Sequence, residues 1–162
     1  MDFKIVKRDE IKLVGVLYHT SMKTEKGIPG LWEAEFITRA KEIKYVVNRN
    51  CYGLELYPDN FMETWQFTYM ASFEVSKLED IPINMFGVTL PSATYAVFTV
   101  KGKLQPEKIK ATFDRIYNEW LPASEYTFAH PYDFEFYDNE NGRFKPNDEN
   151  SEIYIYLPIK KK

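Results

Sequence analysis

The chemistry that this sequence could carry centres on one short segment, Asp133-Phe134-Glu135-Phe136-Tyr137. Its alternation reads as a β-strand in which Glu135 shares a face with Asp133 and Tyr137 and opposes Phe134 and Phe136. A carboxylate buried among aromatic rings is costly unless something compensates, and a ligand cation or a tyrosine hydroxyl would do so. Burial raises the pKa of such a group, and a bound cation lowers it again. The same pattern also describes an ordinary glutamate on a half-solvated strand, so periodicity alone leaves both readings open.

The chain is rich in rings, with 12 Tyr, 12 Phe and 3 Trp making up 17% of it. Buried Tyr and Trp need partners for their polar tips, which is why they gather in pockets and interfaces as well as cores. Trp32, Trp65, Phe67, Tyr69, Tyr117 and Trp120 are the candidate walls of a ligand pocket. Aromatic faces stack on flat ligands and attract cations, at about 0.5–2 kcal/mol per good contact. Rings at helical or alternating spacing also build cores, so pocket and core are alternatives for each of the six.

Other chemistries find less support. His19 and His130 stand far from each other and from any paired carboxylates at ligand spacing, so no metal site is expected. Cys51 is alone, which excludes an internal disulfide, fits a reducing compartment and reads as a small buried side chain rather than a nucleophile. The 7 glycines form no phosphate-binding loop, and no cofactor is expected. The 21 basic and 24 acidic residues are spread along the chain, giving a net charge of -3 and no field to attract nucleic acid. The closing Lys160 to Lys162 reads as a solvated tail. With no export-type leader and no run of eighteen apolar residues, a cytoplasmic protein without a membrane partner is expected. Oligomeric state is left open between monomer and homodimer.

At 162 residues and 44% hydrophobic content the chain fits one domain, residues 1–162, with one core. Strands are expected over residues 3–6, 12–19, 52–56, 65–75, 95–102, 133–137 and 152–159. The longest alternates Trp65, Phe67, Tyr69 and Ala71 on one face. Helices are expected from Ile28, with Trp32, Phe36, Ala40 and Ile43 on one stripe, and over 106–121, where Pro106 suits the first turn and Pro122 ends the last. Residues 76–94 read as a linker and 138–151 as a polar loop. Strand, helix, strand, strand thus occurs twice. Two such units pair into one antiparallel sheet of an α+β fold, with both helices on one face and a cleft between the halves.

Several segments together carry a resemblance. These are Ile81-Pro82-Ile83-Asn84-Met85, the run Leu90-Pro91-Ser92-Ala93-Thr94-Tyr95-Ala96-Val97-Phe98 with Lys101-Gly102, Glu119-Trp120-Leu121-Pro122, Phe134-Glu135-Phe136-Tyr137, and Glu152-Ile153-Tyr154-Ile155-Tyr156-Leu157-Pro158-Ile159. In order and spacing they resemble the gyrase-inhibitor-like, or AraC-type, effector-binding domain in its stand-alone form, over about residues 52–159. The resemblance implies two strand-helix-strand-strand units around a ligand cleft, a small-molecule partner, and a pocket carboxylate on the strand after the second helix, matched here by Glu135. With that domain taking up these residues, no helix-turn-helix module is expected beside it.

On the last strand Glu152, Tyr154 and Tyr156 share one face, and Ile153, Ile155 and Leu157 share the other, which is expected to pack against the helices. Tyr154 is the tyrosine expected to reach Glu135, with Tyr156 as its alternative. Two functions are compatible with these residues. One is binding of apolar, cationic aromatic small molecules without turnover. The other, also implied by the resemblance, is hydrolysis of strained cyclopropane-type electrophiles, with Glu135 as general base or nucleophile.

Overall fold

The structure is a computed structural model that describes residues 1–23 and 27–162. The described residues form strands β1 (Phe3–Arg8), β2 (Ile11–Ser21), β3 (Val46–Leu56), β4 (Gln66–Val75), β5 (Phe86–Leu90), β6 (Ala93–Lys101), β7 (Tyr126–Phe128), β8 (Tyr132–Tyr137) and β9 (Glu152–Lys161). Helix α1 spans residues 28–42, with a π-helical middle at Leu31–Phe36 and a closing 3-10 turn at Ala40–Glu42. A single turn, α2, covers Phe61–Thr64, and α3 spans 106–123 with a π-helical segment at Ile116–Trp120. No helix among the described residues is long and apolar enough to cross a membrane.

The strands join antiparallel in the order β1-β6-β9-β8-β3-β4-β2-β5, with β7 added to β9. The units β2-α1-β3-β4 and β6-α3-β8-β9 are therefore laid out as mirror sequences, β2-β4-β3 and β8-β9-β6, that meet at the β3–β8 pair. This is the α+β arrangement that the sequence predicts, a curled antiparallel sheet with its helices. The remaining strands cross over: β1 completes the second unit by pairing with β6, and β5 completes the first by pairing with β2.

That exchange forces the sheet to curl. Only Asp9 and Glu10 separate β1 from β2, and only Pro91 and Ser92 separate β5 from β6, so the two ends of the strand order must return to each other. Inside the curl, Ile11 and Leu13 of β2 and Leu90 of β5 pack with Tyr95 and Val97 of β6 and with Tyr52, Leu54 and Phe134. Arg8 at the end of β1 reaches across this interior. Its guanidinium donates to the Tyr52 hydroxyl at 2.9 Å, stands 3.7 Å from Glu74, and lies against the rings of Tyr52, Phe136 and Tyr156.

The opposite face of the sheet is covered by the helices. Leu31 and Phe36 of α1 pack on Phe67, Tyr69 and Ala71 of β4, while Phe113 and Ile116 of α3 pack on Phe98, Ile153, Ile155 and Leu157. Strand alternation makes this division, because every second residue of each strand must go to the same side.

Four local readings are corrected. Residues 76–94 are not all linker: Phe86–Leu90 form β5, a short edge strand with only Val88 and Leu90 turned from solvent, too weak a pattern to register as alternation. The strand read from Tyr52 begins at Val46, where the exposed, polar start hides it. Trp65 does not belong to β4. It holds a left-handed conformation, φ 58°, that closes α2, and β4 begins at Gln66. Pro122 lies inside the last turn of α3, and the chain leaves the helix at Ser124, because the preceding wide π turn does not need the N–H that proline lacks.

Candidate functional site

The central pair β3–β8 sets Gly53 opposite Glu135 and Glu55 opposite Asp133, and β4 sets Tyr69 opposite Glu55. All of these project to the helix-covered face, at the seam between the two units. Glu135 is 7% exposed. The Tyr69 hydroxyl donates to its Oε2 at 2.8 Å and the Tyr137 hydroxyl donates to the same atom at 2.6 Å. The indole N–H of Trp32 donates to the Tyr69 oxygen at 2.9 Å. The Trp32 ring meets Tyr137 edge-on with centroids 5.5 Å apart and Tyr69 at 6.3 Å.

This gives an oriented chain, Trp32 to Tyr69 to Glu135, with Tyr137 as second donor. Burial, and then the charge of Glu135, push both phenols well above the ordinary tyrosine range, so they stay protonated donors. Gly53 makes the geometry possible. A Cβ placed there would lie 2.0 Å from the Tyr69 hydroxyl oxygen and 2.7 Å from Glu135 Oε2, the space that their hydrogen bond occupies.

A second carboxyl group lies beside the first. Asp133 is wholly buried; its Oδ2 accepts a hydrogen bond from Tyr117 and lies 2.9 Å from the hydroxyl oxygen of Tyr57. The Tyr57 oxygen also stands 2.6 Å from Oε2 of Glu55, which is 8% exposed. Burial pushes the Asp133 carboxyl up to about 7, with the hydrogen bonds from Tyr117 and Tyr57 opposing and the charge of Glu135 adding. Each unit thus sends one helix residue to the seam, Trp32 from the π segment of α1 and Tyr117 from the π segment of α3. A π turn holds an extra residue and re-aims the side chains that follow, which is why such turns recur at functional sites.

Of the eight residues that the sequence nominates, the structure gathers Trp32, Tyr69 and Glu135 at one carboxylate and Tyr117 at its neighbour. Phe67 is fully buried beneath them, its ring 6.1 Å from that of Tyr57. Trp120 points elsewhere, packing edge-on against Phe3 at 4.8 Å and Phe98 at 4.9 Å. Trp65 is 39% exposed and lies against Phe61.

Tyr154 does not reach Glu135. In register it stands opposite Phe136, on the inner face of the curl, and its hydroxyl donates to Glu152. Tyr156 stacks on Phe134 on that same face, 4.7 Å away. Ile155 is the residue paired with Glu135. The isoleucine face does pack beneath the helices, and for that reason the tyrosines of β9 cannot.

Glu55, Tyr57 and Gly53 are absent from the sequence-based set. Their signal is the alternation Gly53, Glu55, Tyr57, which begins in a strand and ends in what reads as a turn. Among the described residues no three His, Cys, Asp or Glu side chains converge as a metal-binding set. Two surface hollows, of about 420 and 170 Å³, are lined by Lys7, Arg8, Asp9 and Ser92 to Thr94 and by Met1, Arg115, Glu119 and Trp120. Neither is lined by Glu135, whose two phenol partners Trp32 packs against.

Residues 1–160 match the model of the GyrI-like small-molecule binding domain. The chain belongs to the GyrI-like family. This GyrI-like domain superposes on the structure of SAV2435 bound to tetraphenylphosphonium with a TM-score of 0.79, at 18% identity, over 99% of this chain and 94% of that one. An integron cassette protein from Vibrio cholerae gives 0.67 at 17% identity, over 98% and 95% of the two chains. The C-terminal domain of EcmrR gives 0.65 at 11% identity, over 99% and 98%. At such identities the likeness shows a shared fold. No curated protein sequence matches the GyrI-like domain described here.

Proposed function

We propose that this GyrI-like domain binds lipophilic organic cations, with the cationic centre at Glu135 and the rings of Trp32, Tyr69 and Tyr137 around it. The observation that carries the reading is a carboxylate 7% exposed, placed at the seam of the two units and held by two tyrosine hydroxyls under an indole. The structural neighbour bound to tetraphenylphosphonium supports the class of ligand.

The arrangement suits a cation physically. The hydroxyls of Tyr69 and Tyr137 already offset much of the cost of keeping Glu135 out of water, so the site is prepared before a ligand arrives. A bound cation then gains a Coulomb attraction in a low-dielectric setting and the quadrupoles of the surrounding rings. Trp32 is the gate in this reading. Its ring packs against both phenols that hold Glu135, and entry requires it to give up its hydrogen bond to Tyr69.

The test is tryptophan quenching by tetraphenylphosphonium and by the neutral triphenylphosphine oxide, in wild type and Glu135→Gln, with each compound weighed by mass spectrometry afterwards. Saturable quenching by the cation that weakens in the variant, with the compound intact, is expected. Equal response to the neutral compound, or none to the cation, refutes the reading. In the same assay with a cyclopropane-bearing electrophile, loss of the compound in wild type but not in Glu135→Gln identifies a hydrolase instead.

A further inference from the structure

Tyr57 makes two hydrogen-bond contacts to carboxyl groups with one proton. Its oxygen lies 2.6 Å from Glu55 Oε2 and 2.9 Å from Asp133 Oδ2. A phenol donates once. One contact is therefore a donation from Tyr57, and the other closes only when the carboxyl group brings its own proton and donates to the phenol oxygen. Tyr117 supplies its proton to Asp133 Oδ2 as well. The hydrogen bonds between Tyr57 and the two acids are complete when Glu55 and Asp133 share one proton between them.

Even then one atom is left over. Asp133 Oδ1 is buried without a hydrogen-bond partner among the described residues. A buried acceptor left bare is unfavourable, and a buried acidic pair is seldom kept for stability, since apolar residues of similar size usually serve as well. The position of the pair relative to Glu135 suggests its use. Asp133 is two residues before Glu135 on the same face of β8, which places the two side chains about 7 Å apart along the strand.

Resting on the cation reading of Glu135, we infer that the Glu55–Asp133 pair is a second cation subsite, so that the domain accepts dicationic ligands whose second ammonium centre displaces the shared proton. The exchange balances without any covalent step. The proton leaves to solvent, and an ammonium N–H takes its place, with further N–H donors for Oδ1 of Asp133. Among the described residues, the titratable groups facing the pair are Tyr57 after β3, Tyr117 from α3, Tyr69 from β4, and Glu135 and Tyr137 from β8. The four phenols stay protonated, which leaves the acids to give up the proton. Burial raises the titration of Asp133 to about 7, so the pair keeps its proton below neutral pH.

The test compares p-xylylenediamine, a dication, with 4-methylbenzylamine, a monocation of the same ring, by calorimetry on the full chain, with tetraphenylphosphonium as control. At about pH 8 the dication is expected to bind roughly tenfold tighter. That ratio falls as pH drops below about 7, and close to one proton per dication is released at about pH 6, read from the buffer dependence of the enthalpy. Asp133→Asn and Glu55→Gln, two variants so that one misfolding does not decide the matter, each bring the ratio towards one. A ratio of one in wild type, or a ratio unchanged in the folded variants, overturns the second subsite while tetraphenylphosphonium binding upholds the first. Failure of all three cations to bind overturns both.

Discussion

Gly53 and Glu135 face each other across the central strand pair, and the hydrogen of Gly53 stands where any larger residue would cut the bond between Glu135 and Tyr69. The substitution Gly53→Ala therefore forces either Tyr69 or Glu135 aside. It is expected to cost about 1–3 kcal/mol of stability, as overpacking of a closed core does. It should also weaken cation binding more than Gly30→Ala, where a Cβ meets open space. Urea denaturation and a tetraphenylphosphonium titration of both variants check this.

The two phenols on Glu135 are expected to act through it. Tyr69→Phe and Tyr137→Phe each remove one donor from a buried carboxylate, at about 1–3 kcal/mol. In a Glu135→Gln background the same changes should cost less, because the partner charge is gone. A double-mutant cycle by urea denaturation measures the coupling, and strictly additive costs would count against the network.

Among the three tryptophans, only Trp32 touches the groups around Glu135. Quenching by a bound cation is expected to vanish in Trp32→Phe and to survive in Trp65→Phe and Trp120→Phe, whose rings lie against Phe61 and against Phe3 and Phe98. Quenching that survives in Trp32→Phe would put the ligand elsewhere.

The pH dependence of stability carries the mark of Asp133. Its carboxyl is raised in the folded state from 3.8 to about 7, chiefly by burial. Below the lower value both states are protonated and the contribution is fully present. As pH rises, the unfolded chain ionises first while the fold holds its proton, so stability falls by about 1.4 kcal/mol per pH unit and levels off above the higher value. Denaturation midpoints across this window are expected to drop in wild type and to lose that slope in Asp133→Asn. Parallel curves for the two proteins would remove Asp133 as the source.

Much of this protein is determined by short-range pattern. Alternation along residues 133–137 places Asp133, Glu135 and Tyr137 on one face, and the three-to-four spacing from Trp32 to Ile43 makes a helix that must cover something apolar. Covalent geometry alone enforces both periods, so they are readable in one dimension. The doubled strand-helix-strand-strand order and the motifs of the GyrI-like family follow from the same linear information.

Which aromatic ring meets which acid was decided only by the tertiary structure. Tyr69 and Tyr154 have equally good alternation, yet register sets Ile155 opposite Glu135 and turns Tyr154 to the inner face, while β4 brings Tyr69 in from the other unit. A shift of one residue in the β8–β9 pairing would set Tyr154 opposite Glu135 in place of Ile155, and nothing local to either strand specifies that pairing. The seam itself has the same origin. Glu55 and Asp133 are 78 positions apart and become neighbours because β3 and β8 pair where the two units meet. The burial that raises the titration of Asp133 is a property of the closed fold, with α3 laid over the sheet, and of no segment taken alone.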